Sequence, residues 1–123
     1  MRVLLSIKPE FALRIFAGSK RYEYRRVIFK RDNVTRALVY ASWPIGKVIG
    51  EFEIAGILSD EPKKLWKLTK NYAGISSQRF FEYFSKANRG YAIKVKNYVI
   101  YETPIPLKSF MVGSPPQSFL YLD

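Results

Sequence analysis

Apolar and polar positions along the chain change period several times, and each change marks an element. The opening RVLLSI is apolar and β-rich, which predicts a strand, and KPEFALRIFAG then sets Phe11, Ile15 and Phe16 at helical spacing toward a core. Pro9 suits a first helical turn, Glu10 complements the N-terminal dipole, and Gly18 supplies a left-handed stop. From Lys20 the period falls to two. In KRYEYRRVIF, a predicted strand, Arg21, Glu23 and Arg25 share one face, while Tyr22, Tyr24 and Arg26 share the other. ALVYAS reads as a strand ending at Trp43-Pro44, where proline stops pairing. KVIGEFEIAGIL reads as the next, with Gly50 breaking the alternation as a bulge or a close approach of another backbone does.

A helical region is predicted over roughly 61–87. EPKKLWKLTKNY carries Leu65, Trp66 and Leu68 at near-helical spacing, and SSQRFFEYFSKA opens on serine caps and sets Phe80, Phe81 and Phe84 on one core-facing side. YAIKVKNYVIYE returns to period two, with a turn expected around Asn97, and QSFLYL reads as a closing edge strand. Strands on both sides of sparse helices, without βαβ periodicity, predict an α+β fold: a small curved or barrel-like mixed sheet with a few flanking short helices, not a doubly wound one. A single domain over 1–123 is expected from the length.

Composition sharpens this picture in two places. The chain is 48% hydrophobic and holds nine Tyr, nine Phe and two Trp, enough apolar surface for a packed core. It has no Cys and no His, which removes disulfides, thiolate nucleophiles, imidazole bases and the usual zinc ligands. No metal and no cofactor are expected. The apolar start is interrupted by Lys8, Pro9 and Glu10, and no later run reaches membrane-spanning length, so a soluble cytoplasmic protein with no membrane association is expected.

The net charge of +11 is unevenly spread: +7 over residues 1–36, −3 over 37–61 and +7 over 62–123. Two basic blocks favour a polyanionic partner, foremost nucleic acid, over a merely solubilising surface. The stretch GSKRYEYRR concentrates this charge. Lys20 stands at the strand entrance, and an Arg-Glu-Arg face holds an arginine fork ready for phosphate or a base edge, with the Gly18 and Ser19 amides nearby. A solvated ion-pair ladder worth about 0–1 kcal/mol per pair remains the competing reading. Around the end of the ALVYAS strand lie Ser42, Trp43 and Lys47; Trp43 is either a base-stacking platform or core, and Ser42, Gln117 and Ser118 are either base-edge readers or turn formers. Lys63, Lys64, Lys67 and Lys70 form a basic helical side that is either a phosphate track or a solvated face.

LLSIKPEFALRIFAGSKRYEYRR resembles the ASCH domain family, a branch of the PUA-like superfamily whose signature Gly-x-Lys-x-x-Glu-x-Arg directly follows the first helix. Gly18, Lys20, Glu23 and Arg25 fill it, and the resemblance continues through VYASWPIGKVIGEFEI and PPQSFLYL. It implies a small β-barrel with flanking helices, a side cleft lined by Lys20, Glu23 and Arg25, and an RNA, nucleoside or nucleotide ligand. The candidate nucleic-acid-binding set is Lys20, Arg21, Glu23, Arg25, Arg26, Ser42, Trp43, Lys47, Gln117 and Ser118. Some members of the family are enzymes. Those that hydrolyse acetylated cytidine carry threonine where this chain has Glu23, which removes a hydroxyl that the chemistry uses. In a metal-independent ribonuclease the acid and base would be Lys20, Glu23 or a tyrosine, with Arg21, Arg25 and Arg26 helping to lower the lysine pKa. A protein-interaction module is the third reading.

Overall fold

The computed structural model describes residues 1–122. In chain order it contains β1 (Arg2–Ile7), α1 (Pro9–Phe16), β2 (Tyr22–Arg25), β3 (Arg36–Ala41), β4 (Lys47–Asp60), α2 (Pro62–Thr69), α3 (Ser77–Tyr83), β5 (Gly90–Ile105) and β6 (Phe119–Leu122), with 3-10 turns at Lys70–Tyr72 and Leu107–Phe110. The strands form one sheet in the order β2-β5-β4-β3-β1-β6, curled into a half-barrel. β1 and β3 run parallel and every other pair is antiparallel, so the sheet is mixed, as the pattern predicts.

RVLLSI and RALVYA are apolar without clean alternation because both their faces are covered. Val3, Leu5, Ile7, Ala37, Val39 and Ala41 pack with Ala12 and Ile15 of α1, around Phe52. Leu4, Leu38, Tyr40 and Val48 point the other way, under Leu107, Phe110 and Val112 of the C-terminal segment. A third cluster joins Tyr24 of β2 to Leu65, Phe80 and Phe84 beneath α2 and α3. The Ser76 hydroxyl caps α3 by accepting from the Arg79 amide.

Three local readings change and one open alternative closes. The expected turn at Asn97 is a bulge within a single 16-residue strand: Asn97 takes φ 48°, and the pairing with β4 steps from Glu51–Val99 to Glu53–Lys96, one extra residue on β5. The strand predicted over KRYEYRRVIF ends at Arg25, beyond which the chain leaves the edge of the sheet. Leu68 is 62% exposed and Phe81 lies at the surface, because α2 and α3 bury only their Leu65 and Phe80 sides. Trp43 is 86% exposed, so it is no core residue. Gly50 does mark both a bulge against β3 and a close approach, since a Cβ there would lie 2.5 Å from Phe16 Cζ and from the Val99 carbonyl. Among the described residues, no helix is long and apolar enough to cross a membrane.

Candidate functional site

A cleft of about 1140 Å³ opens where the end of β1, the start of α1, β2, the β3–β4 turn and α3 meet the segment Pro115–Ser118. Its floor is built by the short stretch that follows α1. Gly18, at φ 85°, ends the helix, and the Lys20 amide returns to the Arg14 carbonyl at 3.1 Å, which turns the Lys20 side chain inward. Only 2% of Lys20 is exposed. Its Nζ donates to the Ala73 carbonyl at 2.7 Å and sits 4.8 Å from the Tyr24 ring centroid and 5.3 Å from that of Phe11. Gly74 permits this approach: a Cβ there would collide with Cβ and Cγ of Lys20. Burial pulls the Lys20 pKa down to about 8; Glu23 opposes that pull, and Arg14 and Arg25 add to it.

Glu23 and Arg25 are each 7% exposed, so this face is enclosed and is not the solvated ladder of the competing reading. Arg25 Nε donates to Glu23 Oε2 at 3.0 Å, and Nη2 reaches the same oxygen at 2.9 Å. Nη2 also donates to the Ser6 carbonyl at 2.8 Å, and Nη1 to the Ser118 carbonyl and hydroxyl at 3.1 and 3.3 Å. Four hydrogen bonds and one ion-pair contact thus engage all three guanidinium nitrogens. With every nitrogen already engaged, Arg25 is not the open phosphate fork expected from the Arg-Glu-Arg face, although it lines the cleft as its motif position implies. It clamps β2 to β1 and to the C-terminal wall, and it saturates one oxygen of Glu23. Glu23 Oε1 accepts no hydrogen bond from the described residues, and Glu23 lines the cleft.

Tyr24 is not a proton acceptor here. Its hydroxyl donates to Thr69 Oγ1 at 2.7 Å, Thr69 passes its own proton to the Leu65 carbonyl at 2.8 Å, and burial raises the phenol pKa well above its ordinary value. Of the residues singled out from the sequence, Lys20, Glu23, Arg25, Arg26, Ser42, Trp43, Gln117 and Ser118 line this one cleft. Arg21 and Lys47 do not: Arg21 lies over the Tyr72 ring at 4.1 Å, and Lys47 is exposed at the start of β4. The α2 lysines also lie away from it. The structure adds Ser6, Phe11, Tyr40, Arg79 and Tyr83. Tyr40, on β3, lies two residues before Ser42 and so on the same face by strand alternation, a signal present in the sequence; the α3 residues reach the cleft through tertiary packing alone. At the mouth, Arg26 stacks on Tyr83 at 4.5 Å, and Arg79 lies 4.7 Å over Phe11 while both its terminal nitrogens bond the Glu10 carboxylate at 3.0 Å.

A curled mixed sheet in which the stretch after the first helix delivers a lysine, a glutamate and an arginine into a side cleft is an ASCH/PUA-like α+β architecture. The ASCH domain model matches residues 5–103, and the chain belongs to the ASCH domain family. An ASCH domain-containing ribonuclease of Zymomonas mobilis is 30% identical over 123 residues, covering 97% of this chain and 82% of that protein. The ATP synthase subunit alpha of Ureaplasma parvum is 29% identical over 121 residues, 98% of this chain, and ribosomal protein uL22 of the same organism is 25% identical over 124 residues, again 98%. The chain spans only 15% and 39% of those two relatives. Among solved structures, ASCH from Zymomonas mobilis superposes with a TM-score of 0.90 at 28% identity, covering 99% of this chain and 87% of that one. The N-terminal domain of Staphylothermus marinus McrB shares the fold at a TM-score of 0.52 and 14% identity, over 88% of this chain and 77% of that one.

Proposed function

We propose that this protein binds RNA in the cytoplasm, seating an unpaired base against Lys20 and Glu23 while the phosphates remain at the basic mouth. The observation that carries this reading is the pairing of a buried ammonium with a carboxylate oxygen left free, both on the floor of one cleft. A base edge offers an acceptor beside an N–H donor and satisfies both groups; a phosphate in the same place would face the Glu23 carboxylate. Arg26, at the rim, and the overall charge of +11 suit a polyanionic backbone outside. The name of the Zymomonas mobilis relative, a ribonuclease, points to the same ligand class.

Fluorescence anisotropy with a short unstructured RNA is expected to give saturable binding. With three or four phosphates neutralised, the slope of log K against log salt comes to roughly −2 to −3. Binding that ignores salt and RNA alike, and is centred on exposed aromatic residues, would instead mark a protein-interaction module. A second reading, RNA cleavage, is favoured by one feature: a Lys20 pKa near 8 leaves a neutral amine fraction able to take a 2′-hydroxyl proton, with Glu23 beside it. Turnover lost in Lys20→Met and Glu23→Gln supports cleavage, whereas stoichiometric binding without products rejects it.

A further inference from the structure

We infer that the mouth of the cleft holds a second, outer stacking subsite centred on Trp43, so that the ligand is a run of at least two nucleotides and not a mononucleotide. The inference rests on the RNA-binding reading above and deepens it. Trp43 is 86% exposed, yet the turn that carries it is anchored: the Ser42 amide donates to the Ile7 carbonyl at 3.0 Å, Ile45 N to the Ser42 carbonyl at 3.1 Å, and Gly46 N to the Ala41 carbonyl at 2.9 Å. A fixed backbone thus presents an indole to water on the wall of a concave site, the arrangement in which base stacking loses least conformational freedom. Val27, 64% exposed, lines the same mouth, and the Arg26 guanidinium, with one face on Tyr83, belongs to the same rim.

Two tiers therefore lie along one cleft. The lower tier is polar and enclosed, with Lys20 and Glu23, and the upper is aromatic, apolar and cationic. The volume of about 1140 Å³ is larger than the roughly 300–1,000 Å³ usual for one small-molecule ligand. A base in the lower tier directs its phosphate outward past Arg26, and the adjoining nucleotide then meets Trp43. The upper tier is tolerant of base identity, because every base has a stacking face, whereas the lower one reads an edge.

The other tryptophan, Trp66, is half-buried against Phe80 at 4.8 Å and away from the cleft, so a Trp66→Phe background leaves Trp43 as the sole indole reporter. In that background, 2′-O-methyl dinucleotides, which resist 2′-hydroxyl chemistry, are expected to quench the indole emission on binding, and mononucleotides are not. By calorimetry on the otherwise native chain, the dinucleotides should bind about tenfold or more tighter than the mononucleotides. Trp43→Ala should remove most of that gain, leave mononucleotide affinity within about twofold, and Trp43→Phe should restore part of it; the exposure of the ring makes a folding failure an unsuitable explanation. A length advantage that persists in Trp43→Ala overturns the subsite while leaving the RNA reading intact. Failure of any RNA to bind the native chain removes both.

Discussion

Replacing Lys20 with methionine is expected to weaken RNA binding about 30- to 150-fold and to erase its pH dependence between pH 7 and 9. The ammonium spends one donor on the Ala73 carbonyl and keeps others for a ligand, whereas all three nitrogens of Arg25 are already engaged within the protein. A ligand acceptor left facing methionine loses a charge-assisted hydrogen bond of roughly 2–3 kcal/mol. In the native chain, affinity should fall as pH rises through about 8, the value to which burial lowers the Lys20 pKa. Stability moves the other way. Burial lowers the folded-state pKa below the ordinary 10.5, so the unfolded chain binds more protons between pH 8 and 10.5 and the fold gains stability as pH climbs through that window. The cost present below pH 8 is about 3 kcal/mol at 1.36 kcal/mol per pKa unit. Above pH 10 the raised phenol pKa values of Tyr24 and Tyr101 act in the opposite sense, because the folded chain then holds the extra protons. Urea midpoints at pH 7 and 9.5 measure the effect; the rise should be present in the native chain and absent in Lys20→Met.

The second large effect concerns stability alone. Arg25→Leu leaves the Glu23 carboxylate buried without its partner and releases the Ser6 and Ser118 carbonyls, a change that costs about 3–5 kcal/mol. The melting temperature should drop by roughly 10–20 °C. Removing both charges, in Arg25→Leu with Glu23→Leu, should recover much of that loss, and the double-mutant cycle gives the coupling between them. An arginine that gripped phosphate, the role read from the Arg-Glu-Arg face, would behave differently: binding would weaken while the melting temperature held.

The segment from Pro9 to Arg25 was legible because each of its signals is local. Pro9 and Gly18 bracket the helix, and the fall in period at Lys20 starts β2. Enclosure of Glu23 and Arg25 was not legible. Strand alternation assumes that one face meets water, but here Ser118, 93 residues along the chain, closes over Arg25. Arg21 shows the complementary limit: alternation sets it with Glu23 and Arg25, yet it precedes the paired residues of β2 and turns onto Tyr72. A left-handed asparagine suits a turn and a bulge equally, and only pairing with β4 on both sides of Asn97 decides for the bulge. For Trp43 the sequence supported core and platform alike, and the anchored turn puts the ring outside.

The most direct test is a crystal structure of the protein with a short unstructured RNA bound. A base edge is expected on the cleft floor, with its acceptor about 2.7–3.0 Å from Lys20 Nζ and an N–H at similar distance from Glu23 Oε1. RNA lying along the α2 lysines, with the floor of the cleft left to solvent, would contradict the account.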